Sequence, residues 1–121
     1  NDAMQYAVLT AFDEAANYPE EMSIEFQARR DLICSRLNAM PGVSCHVPKG
    51  AFYVFPKVEV PGMNSQELAI ELLKGGVLSS PGSAFGESGE GHLRFAYTVS
   101  REDISRGMDK VEAVLQRLRG D

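Results

Sequence analysis

A six-residue run with strand-like alternation, His92-Leu93-Arg94-Phe95-Ala96-Tyr97, constrains this chain more than any other feature. Successive side chains of a strand point to opposite faces. Leu93, Phe95 and Tyr97 therefore share one face, and Arg94 and Ala96 the other. Three large apolar groups demand a core beneath the strand, while a guanidinium and a small neighbour occupy its upper side. A guanidinium fixed mid-strand is suited to gripping a carboxylate with two parallel hydrogen bonds. Alternation alone also fits an Arg94 that faces solvent or pairs with a nearby glutamate.

Around that strand the chain reads as helices separated by short extended runs. Asp2 and Gln5 have the spacing of a capping box, and Met4, Val8, Ala11, Phe12 and Ala15 then form one helical stripe. Asn17-Tyr18-Pro19 breaks that helix, with Pro19 placed in the first turn of the next. The second helix runs to about residue 39, burying Met22, Phe26, Ile33, Leu37 and Met40, and Pro41-Gly42 stops it. Residues 43–47 and 51–58 predict an antiparallel hairpin, with a bulge at Gly50. Bulk on both sides of the second strand predicts cover on both faces, with Phe52 and Tyr53 packed in the core.

Asn64 and Glu67 form a second capping box, ahead of Leu68, Ala69, Leu72 and Leu73 on one face; Gly75-Gly76 ends that helix. Val77-Leu78-Ser79 predicts a short strand. The four glycines and one proline of residues 80–91 predict a loop, which lacks the spacing of a phosphate-binding motif. Ser100 and Asp103 cap a last helix whose buried stripe is Ile104, Met108, Val111, Leu115 and Leu118. The expected fold class is α+β: a small mixed, largely antiparallel sheet with helices packed on it.

Composition narrows the function. A chain of 121 residues, 44% hydrophobic and 24% charged, is long enough to bury a core. Its net charge of −5 argues against nucleic acid or an anionic membrane as partner. No apolar run approaches the roughly 18 residues of a membrane span. The opening Asn1-Asp2-Ala3-Met4 shows neither a basic nor an apolar leader and no initiator Met, which suits a fragment of a longer cytoplasmic protein. Cys34 and Cys45, eleven apart, match no zinc or redox spacing and are read as buried free thiols. His46 and His92 lack ligand-spaced neighbours and are read as structural, so no metal site is expected.

Three segments occur in a telling order: Lys49-Gly50-Ala51-Phe52-Tyr53-Val54-Phe55-Pro56, then Gly76-Val77 with Pro81-Gly82-Ser83-Ala84-Phe85-Gly86, then His92-Leu93-Arg94-Phe95-Ala96-Tyr97. Together they resemble the C-terminal small domain of class I/II aminotransferases, the aspartate-aminotransferase-like, fold-type-I pyridoxal-phosphate enzymes. The resemblance implies that residues 1–18 are a helix at the edge of an absent large domain and that residues 19–121 are the small domain. It implies that Arg94 binds the α-carboxylate of an amino-acid substrate. It also implies a homodimer, with amino acid and 2-oxo acid as substrates.

The resemblance further implies what this chain lacks. Transamination needs a lysine bound covalently to the cofactor, an acid on the pyridine nitrogen and a phosphate cup. None of Lys49, Lys57, Lys74 and Lys110 sits in the family's serine-lysine motif. No residue here is therefore assigned a catalytic or cofactor-binding role, no pyridoxal phosphate is expected in the fragment, and the fragment alone is expected to be inactive. Carbon–sulfur lyases and decarboxylases of the same fold remain open as alternatives, as does a stand-alone module that binds carboxylates without catalysis. Amino-acid preference is not legible in these residues.

Overall fold

A computed structural model describes residues 1–120; residue 121, the last of the unit expected over 19–121, lies outside the described residues. Its elements in chain order are α1 (Asp2–Glu14), α2 (Tyr18–Asn38), β1 (Val43–Ser44), β2 (Tyr53–Val54), β3 (Lys57–Val58), α3 (Ser65–Lys74), β4 (Ser80–Pro81), β5 (Leu93–Ala96) and α4 (Arg101–Arg119). The architecture is α+β, as expected, and every ladder among the described residues is antiparallel.

The sheet order is β2-β5-β4, with β1 paired separately to β3. A residue-by-residue reading joins the two pieces. Tyr53 opposes Ala96, Val54 opposes Phe95, and Lys57 bridges His92, all in one register. Phe55-Pro56 interrupts the ladder because proline has no N–H to donate, although Pro56 still accepts from the Leu93 N–H at 3.1 Å. The expected strand 51–58 is therefore one extended segment split by Pro56. Its outer end pairs with β1, Val43 against Val58. The expected antiparallel pairing of residues 43–47 with 51–58 is thus present, but only at Val43–Ser44 against Lys57–Val58, and Gly50 lies in the unpaired turn rather than in a ladder bulge. The left-handed residue is Ala51, at φ 62°, and residues 45–52 turn without a ladder.

The core lies between the inner sheet face and helices α2, α3 and α4. Ile33, Cys34 and Leu37 of α2 meet Val54, Val58, Leu93, Phe95 and Tyr97 of the sheet, Leu68 and Leu72 of α3, and Ile104, Met108, Val111 and Leu115 of α4. Leu37 and Leu72 are fully buried, each contributing about 1.5–3 kcal/mol relative to exposure. Met22, Phe26 and Leu118, expected in the core, are half-buried at its margin. Leu73 is exposed, because α3 packs one face only.

The capping signals differ in outcome. Asn64 accepts from the Gln66 and Glu67 N–H groups, and Glu67 returns a bond to the Asn64 N–H, so that box is complete. Ser100 accepts from the Asp103 N–H, but its hydroxyl donates to the Asp103 carboxylate, so the acid never reaches back to the backbone. The box expected at Asp2 and Gln5 is absent: Asn1 occupies the cap position without a side-chain bond, and Asp2 is already helical. No residue of α1 is buried.

The predicted strand at residues 77–79 lies three residues too early. Gly76, at φ 82°, closes α3 with paired bonds, Gly76 N–H to Leu73 O and Val77 N–H to Leu72 O. That left-handed C-terminal motif consumes the amides a strand would need. The ladder begins at Ser80 instead, and short 3-10 turns at Gly82–Phe85 and Glu87–Gly89 follow.

Candidate functional site

β5 is held on both edges, by β2 on one side and β4 on the other, so the direction of its side chains is fixed. Leu93, Phe95 and Tyr97 are buried, while Arg94 is half-buried and Ala96 exposed on the opposite face. That outer face carries Tyr53 from β2 and Phe55 just beyond it, 36% and 40% exposed. The expectation that this strand is covered on both sides is corrected: helices pack on one face only, and the other stands open. Phe52, 44% exposed, is not core either. It follows the left-handed turn at Ala51, and its ring sits at the margin between Tyr53, with centroids 4.5 Å apart, and Phe26 of α2, 6.4 Å away.

Arg94 is the centre of this open face. Its guanidinium lies 4.7 Å from the Tyr53 ring centroid and 4.6 Å from that of Phe85. One terminal nitrogen approaches Ser80 Oγ at 3.4 Å, the residue opposite Arg94 in the β4 ladder. No carboxylate among the described residues pairs with it. The contrast with the other arginines is sharp: Arg29, Arg30, Arg36, Arg101, Arg106 and Arg117 all pair with carboxylates, and Arg119 donates to the Glu59 carbonyl. Neither the solvent-facing Arg94 nor the glutamate-paired one matches this geometry.

Phe85 and Ser80 belong to the site, and reading the sequence missed both. The aromatic residue in a glycine-rich loop directly before the arginine strand is a signal that would have marked Phe85. Ser80 had none, because its place opposite Arg94 depends on the late start of β4. The loop that carries Phe85 is stapled to α3. The Glu90 carboxylate accepts from the Ser65 N–H at 2.7 Å and from the Ser65 hydroxyl at 3.0 Å, and Ser65 Oγ bonds Ser83 Oγ at 3.0 Å. These bonds, led by those from backbone N–H groups, hold the Glu90 carboxyl below its ordinary range.

The remaining residues singled out from the sequence lie elsewhere. Lys49, Lys57, Lys74 and Lys110 are all exposed; Lys57 pairs with Glu59 and Lys74 with Glu71. Solvated ammonium groups, two of them ion-paired, do not fit a residue that must be held dry and deprotonated against a cofactor. Cys34 and Cys45 are buried free thiols with sulfurs 3.8 Å apart. Burial pushes both thiols up, Cys45 to about 12. His46 is exposed. His92 stacks on Phe55 at 5.1 Å, with 9° between planes, so it supports the aromatic row. Among the described residues no group of three or more His, Cys, Asp or Glu could hold a metal ion, and no helix is long and apolar enough to cross a membrane.

Comparison with known proteins identifies this architecture. A family model described as aminotransferase class I and II matches residues 1–111. The chain is 41% identical over 105 residues to an aspartate aminotransferase of Pyrococcus horikoshii, covering 86% of this chain and 27% of that protein. It is 40% identical to aromatic-amino-acid aminotransferase 2 of Thermococcus litoralis, covering 93% of this chain and 30% of that one. Among solved structures it superposes on an aromatic aminotransferase from Pyrococcus horikoshii with a TM-score of 0.85 at 39% identity, covering 93% of this chain and 31% of the other. An aspartate aminotransferase from Rhizobium meliloti gives 0.83 at 31% identity, covering 93% and 30%. The chain thus spans 27–30% of the length of these curated relatives.

Proposed function

Because this chain belongs to the class I and II aminotransferase family, we propose that it is the small-domain part of a pyridoxal-phosphate-dependent aminotransferase and that Arg94 binds the substrate's α-carboxylate. The full-length enzyme would move an amino group between an amino acid and a 2-oxo acid. The observation that carries this reading is a mid-strand guanidinium on an open sheet face, with no carboxylate partner among the described residues. A charge-assisted bond contributes roughly 1.5–3 kcal/mol, less desolvation, so a two-pronged grip supports both affinity and orientation.

The residues of this chain do not fit the cofactor itself. Its lysines are solvated, so we assign the cofactor lysine, the acid on the pyridine nitrogen and the phosphate cup to the remainder of the full-length protein. In this reading the chain alone is inactive. Its partners are the large domain of the same polypeptide and a second subunit of a homodimer, and two buried free thiols suit a cytoplasmic, reducing setting.

The test is Arg94→Lys in the full-length protein, which keeps the charge and removes the fork. KM for the amino acid should rise more than about tenfold, equivalent to about 1.4 kcal/mol. An unchanged KM refutes the assignment.

A further inference from the structure

A guanidinium offers two flat faces and an edge of N–H donors. In this structure two aromatic rings lie against the Arg94 guanidinium, Tyr53 at 4.7 Å and Phe85 at 4.6 Å. Its N–H donors meet Ser80 Oγ at a long 3.4 Å and no carboxylate among the described residues. We propose that Tyr53 and Phe85 are positioning residues that clamp the Arg94 guanidinium in one plane, so that its two-pronged edge alone meets the carboxylate. The inference rests on the reading of Arg94 as the carboxylate-binding group and assigns two further residues to that task.

Each jaw of the clamp is built from a different part of the fold. Tyr53 is delivered by the β2 register: it opposes Ala96, next but one to Arg94 on the same strand face. A methyl at Ala96 leaves room for the Tyr53 ring to lean toward the guanidinium. Phe52 backs that ring at 4.5 Å. Phe85 comes from the loop before β5, where Gly82 and Gly89 pass so closely that a Cβ on Gly82 would lie 2.0 Å from the Gly89 oxygen. The Ser65–Ser83–Glu90 bonds tie the same loop to the start of α3. Phe55 meets Phe85 edge-on at 5.9 Å and is itself stacked on His92. Both jaws therefore have backing.

The physical advantage is preorganisation. An arginine side chain carries much rotamer entropy, and fixing it before the ligand arrives removes that cost from binding. The negative faces of the rings also attract the cation without competing for its N–H groups. Acting through the Arg94 guanidinium that both rings contact, each should affect binding and leave the chemical step alone.

The experiment uses the full-length protein and whichever of the twenty proteinogenic L-amino acids turns over fastest with 2-oxoglutarate. Phe85→Leu and Tyr53→Leu remove a ring and keep bulk. Each should raise KM about fivefold with kcat within about twofold, the signature of lost uniform binding. Phe85→Tyr and Tyr53→Phe keep a ring and should retain the parent KM. In an Arg94→Lys background, Phe85→Leu should add less than about twofold, because an ammonium has no plane to orient. Silent leucine variants, an equal fall in kcat, or ring-retaining variants as damaged as the leucine ones would overturn the clamp. A silent Arg94→Lys would instead overturn the carboxylate reading beneath it, and turnover with none of the amino acids would overturn the aminotransferase reading.

Discussion

Ala51 is the one non-glycine among the described residues with a left-handed backbone, at φ 62°, a conformation that costs an alanine about 1–2 kcal/mol. The buried Tyr97 hydroxyl donates to the Ala51 carbonyl at 2.8 Å, and the Tyr97 N–H donates to the Phe52 carbonyl at 3.0 Å. One strand residue thus holds the turn that precedes β2 and delivers Tyr53 to the outer face, while Phe52 lies toward Phe26 of α2 at 6.4 Å. A different single-residue effect sits beneath it, in the core. Burial, then the neighbouring Cys34, push the Cys45 thiol from 9.0 to about 12. The folded chain keeps a proton that the unfolded chain releases near pH 9. The associated stability is therefore complete below that pH and lost as pH rises toward 12. Urea midpoints measured from pH 8 to 10.5 should fall for the parent chain and fall less steeply for Cys45→Val. Parallel slopes would show that this thiol contributes nothing.

At the scale of elements, α2 and α4 are joined by ion pairs at two places, Arg36 with Asp109 and Glu112, and Glu25 with Arg101. Glu25 accepts from Arg101 at the start of α4 and from Arg29 one turn along its own helix. Arg101 first, then Arg29, pull its carboxyl from 4.5 to about 2. This stabilisation is present above pH 4.5 and is lost as pH falls toward 2, the sign expected of a depressed carboxylate. Glu25→Gln should therefore flatten the acid limb of a thermal-melting profile between those values, and an unchanged limb would remove Glu25 from the account. The helices themselves were legible from local signals, because a stripe at 3.6 spacing and a cap within four residues need no distant partner. The strands were less so. Residues 51–58 carry alternation along their whole length, yet Pro56 divides their pairing, and the amides near residue 77 are claimed by the end of α3 before a ladder can use them.

Across the whole molecule, α1 carries apolar side chains with no residue buried. Met4, Val8, Leu9 and Phe12 are each more than half exposed, Phe12 at 75%. An exposed apolar face of this kind is expected to find cover. In the full-length protein we expect the large domain to supply it. The 121-residue chain alone should associate through α1, swap it or fold it back. Sedimentation should show a concentration-dependent dimer that Val8→Glu with Phe12→Glu returns to monomer, whereas a strict monomer with α1 ordered and solvated would count against the idea. The sequence by itself determined the helices, the apolar side of the arginine strand and the family, because periodicity and ordered motifs are local properties of the chain. Tertiary structure alone decided that the outer sheet face stays open, that Ser80 opposes Arg94 and that Phe85 closes over it. Those outcomes depend on strand register and on where a loop returns, contacts between residues far apart in sequence that no local pattern encodes.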